Sequence, residues 1–353
     1  MAQRIAVIGG DGIGPEVTGA GVQVLEAAQK LHPGLDLEFT ELPWGCEHYL
    51  EHGRMMPEDG LETLAGFDAI YLGAVGWPGV PDHVSLWGLL IPIRRGFDQY
   101  INLRPARLLP GVQSPLASPG ELDITVVREN TEGEYSDAGG RMYAGTPHEL
   151  AVQESIFTRR GVERMLRYAY RLASERRGRL VGATKSNGIS ITMPFFDQVF
   201  REVGAGFPEV EASLMHADAL AARLVLDPES FDVVAGSNLF GDLLSEITAA
   251  TSGAIGIAPS ANLNPERRYP SLFEPIHGSA PDIAGQGVAN PSGAIWAASL
   301  MLDHLGHPEA AQAVMRALEG SLAAGVKTRD LRGKASTEEA TQAVVERLSE
   351  IRD

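Results

Sequence analysis

An internal disulfide is excluded in this chain of 353 residues, because it carries a single cysteine, Cys46. A lone thiol fits a reducing compartment, and Cys46 reads as a small buried hydrophobe. Long apolar runs are missing too: none approaches the ~20 residues that a membrane helix needs. Positive charge is scarce, with 29 Lys and Arg against 46 Asp and Glu, for a net charge of −17. That balance argues against nucleic acid and against an anionic membrane surface as partners. It also means that an anionic substrate must be met by a local cluster of Arg and Lys. The opening MAQRIAVIGG holds an apolar stretch shorter than a secretory core and no small-residue cleavage pattern, so the cytoplasm is the expected compartment. There is no internal repeat and no low-complexity tract.

What is present is a chain that is 44% hydrophobic and 21% charged, long enough for two domains. Strand-like and helix-like stretches alternate, which predicts an α/β fold. RIAVIGG reads as the first strand and is followed by a helix from about Glu16 to Lys30. LDLEFTEL, FDAIYLGAV, YINLRPARLL and ELDITVVRE read as further strands. Residues 130–153 are polar and Gly-rich without a helical period, and suit an extended arm. TRRGVERMLRYAYRLASERR spaces Val162, Met165, Leu166, Ala169 and Leu172 as a helix does. RLVGATKS, VEASLMHAD and FDVVAGSN are strands, each followed by a helical pattern. From Gly253 to Gly287 the chain is loop-rich, punctuated by Pro259, Pro265, Pro270, Pro275 and Pro281. GAIWAASLMLDHLG and TEEATQAVVERLSEI are helices, and Thr337 with Glu338 and Glu339 suits the start of the second.

GGDGIGPE, residues 9–16, superficially matches a dinucleotide fingerprint. The pattern is compressed, Pro15 follows at once, and no acidic residue ends the second strand at the usual distance, so a tight turn beside an active site is the better reading. Arg94, Arg104 and Arg128 each read singly as surface arginines. Together, at strand and helix ends, they suit a small dicarboxylate, because a guanidinium fork grips one carboxylate at two points. Asp242 and Glu246 stand at i and i+4, on one helix face. They are either an acidic helix start favoured by the macrodipole or oxygen ligands for Mg²⁺ or Mn²⁺, with Asp218 as a third. Lys185 is either a solvated lysine or a base whose pKa falls beside a cation and arginines. Tyr135 is either an arm-packing residue or a proton donor beside Lys185. LFEPIHGSAPDIAGQGVANPSGAIW, with His277, Asp282 and Asn290, is either a structural loop or one whose Asp282 carboxylate accepts both hydroxyls of an adenosine ribose, which would favour NAD over NADP.

GGDGIGPE, INLRP, RENTEGEY, TKSN, NLFGDLLSE, APSANL and EPIHGSAPDIAGQGVANP together resemble the isocitrate/isopropylmalate dehydrogenase family, the metal-dependent β-decarboxylating dehydrogenases. The likeness runs nearly end to end and is strongest to the tartrate dehydrogenase/D-malate dehydrogenase branch. It implies an isopropylmalate dehydrogenase-like, non-Rossmann α/β fold with a mixed central sheet. An NAD-binding large domain would comprise 1–99 and 250–353, and a small domain 100–249 would carry the dimer arm. The resemblance implies Tyr135 and Lys185 as catalytic groups, and Arg94, Arg104, Arg128, Trp87 and Leu90 at the substrate. It places Asp218, Asp242 and Glu246 at a Mg²⁺ or Mn²⁺ ion. Glu274, His277, Gly278, Ser279, Ala280, Asp282 and Asn290 would serve NAD. Lys185 and Asp218 would enter the partner's site in a homodimer. Trp87 stands where isopropylmalate enzymes have an acidic residue, and would close the pocket on a small acid such as D-malate or tartrate; Leu90 and Ile91 stay apolar. Glu246 stands where the family usually has Asp. The implied activity is oxidative decarboxylation of D-malate to pyruvate and CO₂. The alternatives are a 3-isopropylmalate dehydrogenase and, in another class, a non-catalytic regulatory subunit.

Overall fold

A computed structural model describes residues 2–253 and 255–351. Their strands, in chain order, are β1 (Gln3–Gly10), β2 (Leu37–Glu41), β3 (Ala69–Ala74), β4 (Ile101–Arg107), β5 (Asp123–Glu129), β6 (Gly139–Met142), β7 (Leu150–Gln153), β8 (Arg179–Thr184), β9 (Glu211–His216), β10 (Val233–Gly236), β11 (Pro259–Leu263) and β12 (Ser271–Pro275). Two compact units emerge: Met1–Gln99 with Arg107–Ser118 and Ala249–Asp353, and Tyr100–Ala106 with Pro119–Thr248. No helix among the described residues is long and apolar enough to cross a membrane.

In the first unit the strand order is β2-β1-β3-β12-β11. The first four are mutually parallel, with Val7 opposite Glu41, Ile8 opposite Leu72 and Leu272 opposite Ile70; β11 runs antiparallel to β12, with Ser260 opposite Glu274. The sheet is therefore mixed, as the family resemblance implies. β3 is buried along its whole length, which is why AIYLGA reads as an unbroken apolar run rather than an alternation. Helix Ser292–His304 is apolar nearly all round and is an interior helix, tied by the Tyr71 hydroxyl donating to the Ala294 carbonyl at 2.7 Å. Ser336 and Glu339 form a capping box at the start of helix Thr337–Glu350.

The structure adds two features to what the sequence predicts for this unit and corrects one. The loop-rich stretch from Gly253 to Gly287 also holds two strands that the sequence did not announce, β11 and β12, both wholly buried. Pro259 opens one strand and Pro275 closes the other, positions where a missing N–H costs no interior ladder bond. Helix Pro308–Ala323 went unread because its buried face is largely alanine, which gives a weak apolar signal. An acidic residue, Glu41, does end β2. The non-Rossmann reading rests instead on the turn after β1. There Asp11 N–H donates to Ala74, Ile13 N–H to Ser279 at 2.9 Å and Gly14 N–H to Asp11, so these groups are spent on protein carbonyls rather than open to a pyrophosphate. Gly12, at φ +60°, permits the approach, since a Cβ there would fall 1.9 Å from the Ser279 oxygen.

In the second unit the order is β4-β5-β10-β8-β9, with β5, β10, β8 and β9 all parallel. Arg128 is the penultimate residue of β5, Lys185 follows β8, Asp218 follows β9, and the helix bearing Asp242 follows β10. All four therefore leave the carboxyl ends of parallel strands, where open α/β sheets collect ligand groups. The stretch expected as an arm holds β6 and β7, a two-stranded antiparallel ribbon exposed along both strands.

Candidate active site

Asp242 is the hub of the second unit. Its Oδ1 accepts from Arg104 Nη1 at 3.1 Å and from Arg128 Nη1, and its Oδ2 from the Tyr135 hydroxyl at 3.0 Å. Arg128 sends Nε and Nη2 to Asn238 Oδ1, at 3.1 and 2.6 Å. Arg104 Nη1 also donates to Ser245 Oγ at 2.8 Å and lies 3.5 Å from Glu246 Oε1. Both arginines are buried, and a buried guanidinium demands an anion, which Asp242 supplies. The closeness depends on Gly241, where a Cβ would fall 2.5 Å from that of Arg128. Asn238 and Ser245 belong to the quoted NLFGDLLSE stretch but drew no reading from sequence. Asn238 at the first position of helix Asn238–Thr251 was the available signal, since such a residue often serves the backbone rather than the core.

The electrostatics of the cluster follow from this packing. Burial raises the Tyr135 phenol, and the Asp242 charge and hydrogen bond raise it further, so Tyr135 is held protonated. Burial raises the Glu246 carboxyl; Arg104 opposes this and the Asp242 charge reinforces it. As a metal site, Asp242 and Glu246 offer two carboxylates on one helix face, which fits a hard divalent cation completed by substrate and water. The expected third ligand does not join them within the chain. No group of three His, Cys, Asp or Glu side chains able to hold a metal occurs among the described residues. Asp218 Oδ2 instead pairs with Lys185 Nζ at 2.8 Å, and that hydrogen bond lowers the Asp218 carboxyl. Lys185 thus goes to Asp218 and Tyr135 to Asp242, and the chain does not pair Tyr135 with Lys185.

The first unit carries the remaining expected residues. Arg94 Nη2 donates to Glu274 Oε1 at 3.1 Å, and Asn262 Nδ2 donates to the same oxygen at 2.7 Å, all three side chains being buried. Glu274, expected at the cofactor, spends that oxygen as the counterion of Arg94. Trp87 lies in a π-helical turn, Leu86–Leu90, with the Arg95 guanidinium 4.9 Å over its ring. Leu90, expected at the substrate, packs into a core cluster with Met55, Leu89, Ile93 and Phe97. In the loop after β12, His277 Nε2 is buried with no hydrogen-bond partner, and burial lowers its pKa. A Cβ on Gly278 would meet nothing within 4 Å, and the Asp282 carboxylate is exposed. An orphaned ring nitrogen, open space over Gly278 and a free carboxylate fit a ribose-bearing ligand. Ser279 and Ala280 act through the backbone: the Ser279 carbonyl holds the β1 turn, and Ala280 takes φ +39°. Asn290 is a brace, donating to Asp330 at 2.9 Å and accepting from Ser292 N–H at 3.0 Å.

The chain belongs to the isocitrate/isopropylmalate dehydrogenase family, whose model it matches over residues 4–346. It is 55% identical over 351 residues to a D-malate dehydrogenase (decarboxylating) of Escherichia coli, covering 97% of each chain. It is 53% identical to a tartrate dehydrogenase/decarboxylase of Pseudomonas putida, over 99% of this chain and 98% of the relative. A probable tartrate dehydrogenase/decarboxylase of Bacillus subtilis is also 53% identical, with coverage of 99% and 98%. Among solved structures, an isocitrate dehydrogenase from Methylococcus capsulatus aligns with a TM-score of 0.88 at 31% identity, over 98% of this chain and 99% of that one. A beta-decarboxylating dehydrogenase from Thermococcus kodakarensis aligns at 0.79 and 34%, over 99% and 96%. The family resemblance and the fold expected from it are borne out.

Proposed function

We propose that this protein is an NAD- and divalent-metal-dependent dehydrogenase that oxidatively decarboxylates D-malate to pyruvate and CO₂, with tartrate as a further substrate. One observation carries the reading: a single carboxylate, Asp242, meets two buried arginine forks and a protonated phenol, with Glu246 one turn on. The identity of 49–55% to tartrate and D-malate dehydrogenases supports it. Asp242 and Glu246 would hold Mn²⁺ or Mg²⁺, which would supply Lewis acidity, and the loop bearing Asp282 would hold NAD, which would supply a hydride acceptor.

The chain's own groups do the rest. Arg104 and Arg128 turn from Asp242 to the substrate carboxylates, and their planar forks fix its orientation. Arg94, aligned by Glu274, is a further carboxylate anchor. Lys185 accepts the hydroxyl proton, and Tyr135 delivers a proton to carbon after CO₂ leaves. Lys185 and Asp218 serve the partner's site in a homodimer, in keeping with their pairing apart from Asp242. Trp87 restricts the pocket to a four-carbon acid. Asp282 receives the ribose of NAD, on the loop held by Ser279, Ala280 and Asn290. The cytoplasm suits a chain whose single cysteine is free and buried.

The test is a panel of D-malate, tartrates, 3-isopropylmalate and isocitrate, each with NAD or NADP and with Mn²⁺ or excess chelator. D-malate with NAD and Mn²⁺ should give the highest kcat/KM. Preference for 3-isopropylmalate would move the protein to that activity, and full turnover in chelator would overturn the metal assignment.

A further inference from the structure

The helix that carries Asp242 and Glu246 is held at its start both by its own Ser237 and by a carboxylate distant in sequence. The first backbone N–H groups of any helix lack intrahelical partners and must find acceptors elsewhere. Here the Ser237 carbonyl takes Gly241 N–H at 2.8 Å, and the Ser237 hydroxyl oxygen takes Phe240 N–H at 3.4 Å. Leu239 N–H goes to a residue far off in sequence: it donates to Glu134 Oε2 at 3.0 Å. The other Glu134 oxygen, Oε1, accepts from Ser237 Oγ at 2.7 Å. One carboxylate thus grips the first turn at two points, which fixes both its position and its rotation, and a carboxylate at a helix N-terminus is favoured by the dipole. The grip is continuous with the site. Between the two held residues lies Asn238, which takes two donors of Arg128 and gives its own Nδ2 to the Glu132 carbonyl at 2.9 Å. Glu134 also meets the ribbon: its carbonyl accepts from Gln153 Nε2, in β7, at 2.9 Å.

We propose that Glu134 is a positioning residue: it sets the first turn of helix Asn238–Thr251, and so where Asp242 and Glu246 stand, and ties that turn to the root of the β6–β7 ribbon. It touches neither substrate nor metal. The inference rests on the reading of Asp242 and Glu246 as the metal-holding pair. A small rotation of the first turn displaces both carboxylates together, and residues that support metal ligands typically matter by about 10–100-fold in affinity or activity.

The experiment compares wild type, Glu134→Gln, Glu134→Ala and Ser237→Ala. Mn²⁺ retention with D-malate present is read from loss of the free Mn²⁺ paramagnetic resonance signal, alongside the KM for Mn²⁺ and for NAD. Glu134→Ala should weaken Mn²⁺ retention by ~10-fold or more. Glu134→Gln, which keeps one acceptor, should fall between it and wild type. The KM for NAD should stay near wild type, a split that general destabilisation would not produce. If Glu134→Ala fails to fold, Glu134→Gln and Ser237→Ala carry the comparison. Folded variants that hold Mn²⁺ as wild type does overturn the inference alone. A wild type that retains no Mn²⁺ overturns the site reading and the inference with it.

Discussion

Asp242→Asn separates two jobs that one carboxylate performs. Asp242 neutralises Arg104 and Arg128, whose side chains are 9% and 2% exposed. Asparagine keeps the shape and one oxygen but removes the charge. Breaking a buried ion pair typically costs about 3–5 kcal/mol. The Asp242 side chain is 28% exposed, and Glu246 still offers Arg104 an anion at 3.5 Å, so the low end, about 3 kcal/mol, applies. At roughly 2–4 °C per kcal/mol, that lowers the melting temperature by ~6–12 °C in metal-free buffer. Glu246→Gln is the contrast. The Glu246 carboxyl is raised by burial, so the folded state binds its proton more tightly than the unfolded state does. Such a group detracts from stability once pH exceeds its ordinary value. Glu246→Gln should therefore melt at or slightly above the wild-type temperature at pH 8. Both variants should nonetheless lose Mn²⁺, and Asp242→Asn should lose at least ~10²-fold in turnover if Lewis acidity is worth several kcal/mol. Thermal unfolding without metal and Mn²⁺ retention with D-malate measure the two effects separately. An Asp242→Asn protein that melts with wild type, or a Glu246→Gln protein destabilised as much as Asp242→Asn, would refute the reasoning.

Tyr135→Phe should lower kcat by ~10²–10⁴-fold with little change in KM for D-malate, because it removes a proton donor rather than a carboxylate anchor; an unchanged kcat contradicts the role. Glu129, buried and pushed up to about 7, stays protonated in the folded state while the unfolded chain ionises, so its contribution to stability declines as pH rises from about 4.5 to about 7. The melting temperature of Glu129→Gln relative to wild type should therefore rise between pH 5 and pH 8; a flat difference counts against the shift. Asp282→Lys should weaken NAD and improve NADP in kcat/KM, and a wild type that already prefers NADP would contradict the ribose assignment. Mixed Lys185→Ala and Tyr135→Phe subunits should recover activity, up to about one intact site per heterodimer by two-fold symmetry; subunit exchange confirmed by mass with no recovery would place both residues in one subunit.

The residues of the candidate site could be singled out in the sequence because chemistry restricts type: carboxylate recognition calls for arginine, and a hard cation for paired acids. Their partners were not, because pairing is tertiary. Arg94 and Glu274 lie 180 positions apart, and no local pattern in either segment announces that they share a buried ion pair with Asn262. The strands of IAVIGG, AIYLGA and ITVVRE could be read from apolar runs, whereas β11 and β12 were hidden by prolines that sit at strand ends. Asp218 shows most clearly where sequence logic stops. Its place after a strand puts it at the correct edge of the sheet, the edge shared by Arg128, Lys185 and Asp242. Which neighbour it meets depends on strand order. In β10-β8-β9, the strand leading to Asp218 is two places from the strand leading to Asp242, and neighbouring strands are spaced by roughly 4.8 Å. β8, which leads to Lys185, lies between them. Lys185 is thus the adjacent partner for Asp218, while Asp242 is left to the arginines of β4 and β5 on its other side. Under the reading proposed above, a site that joins Asp218 and Lys185 to Asp242 would draw that pair from a second copy of the chain, since within one chain the pair is made between Lys185 and Asp218 alone.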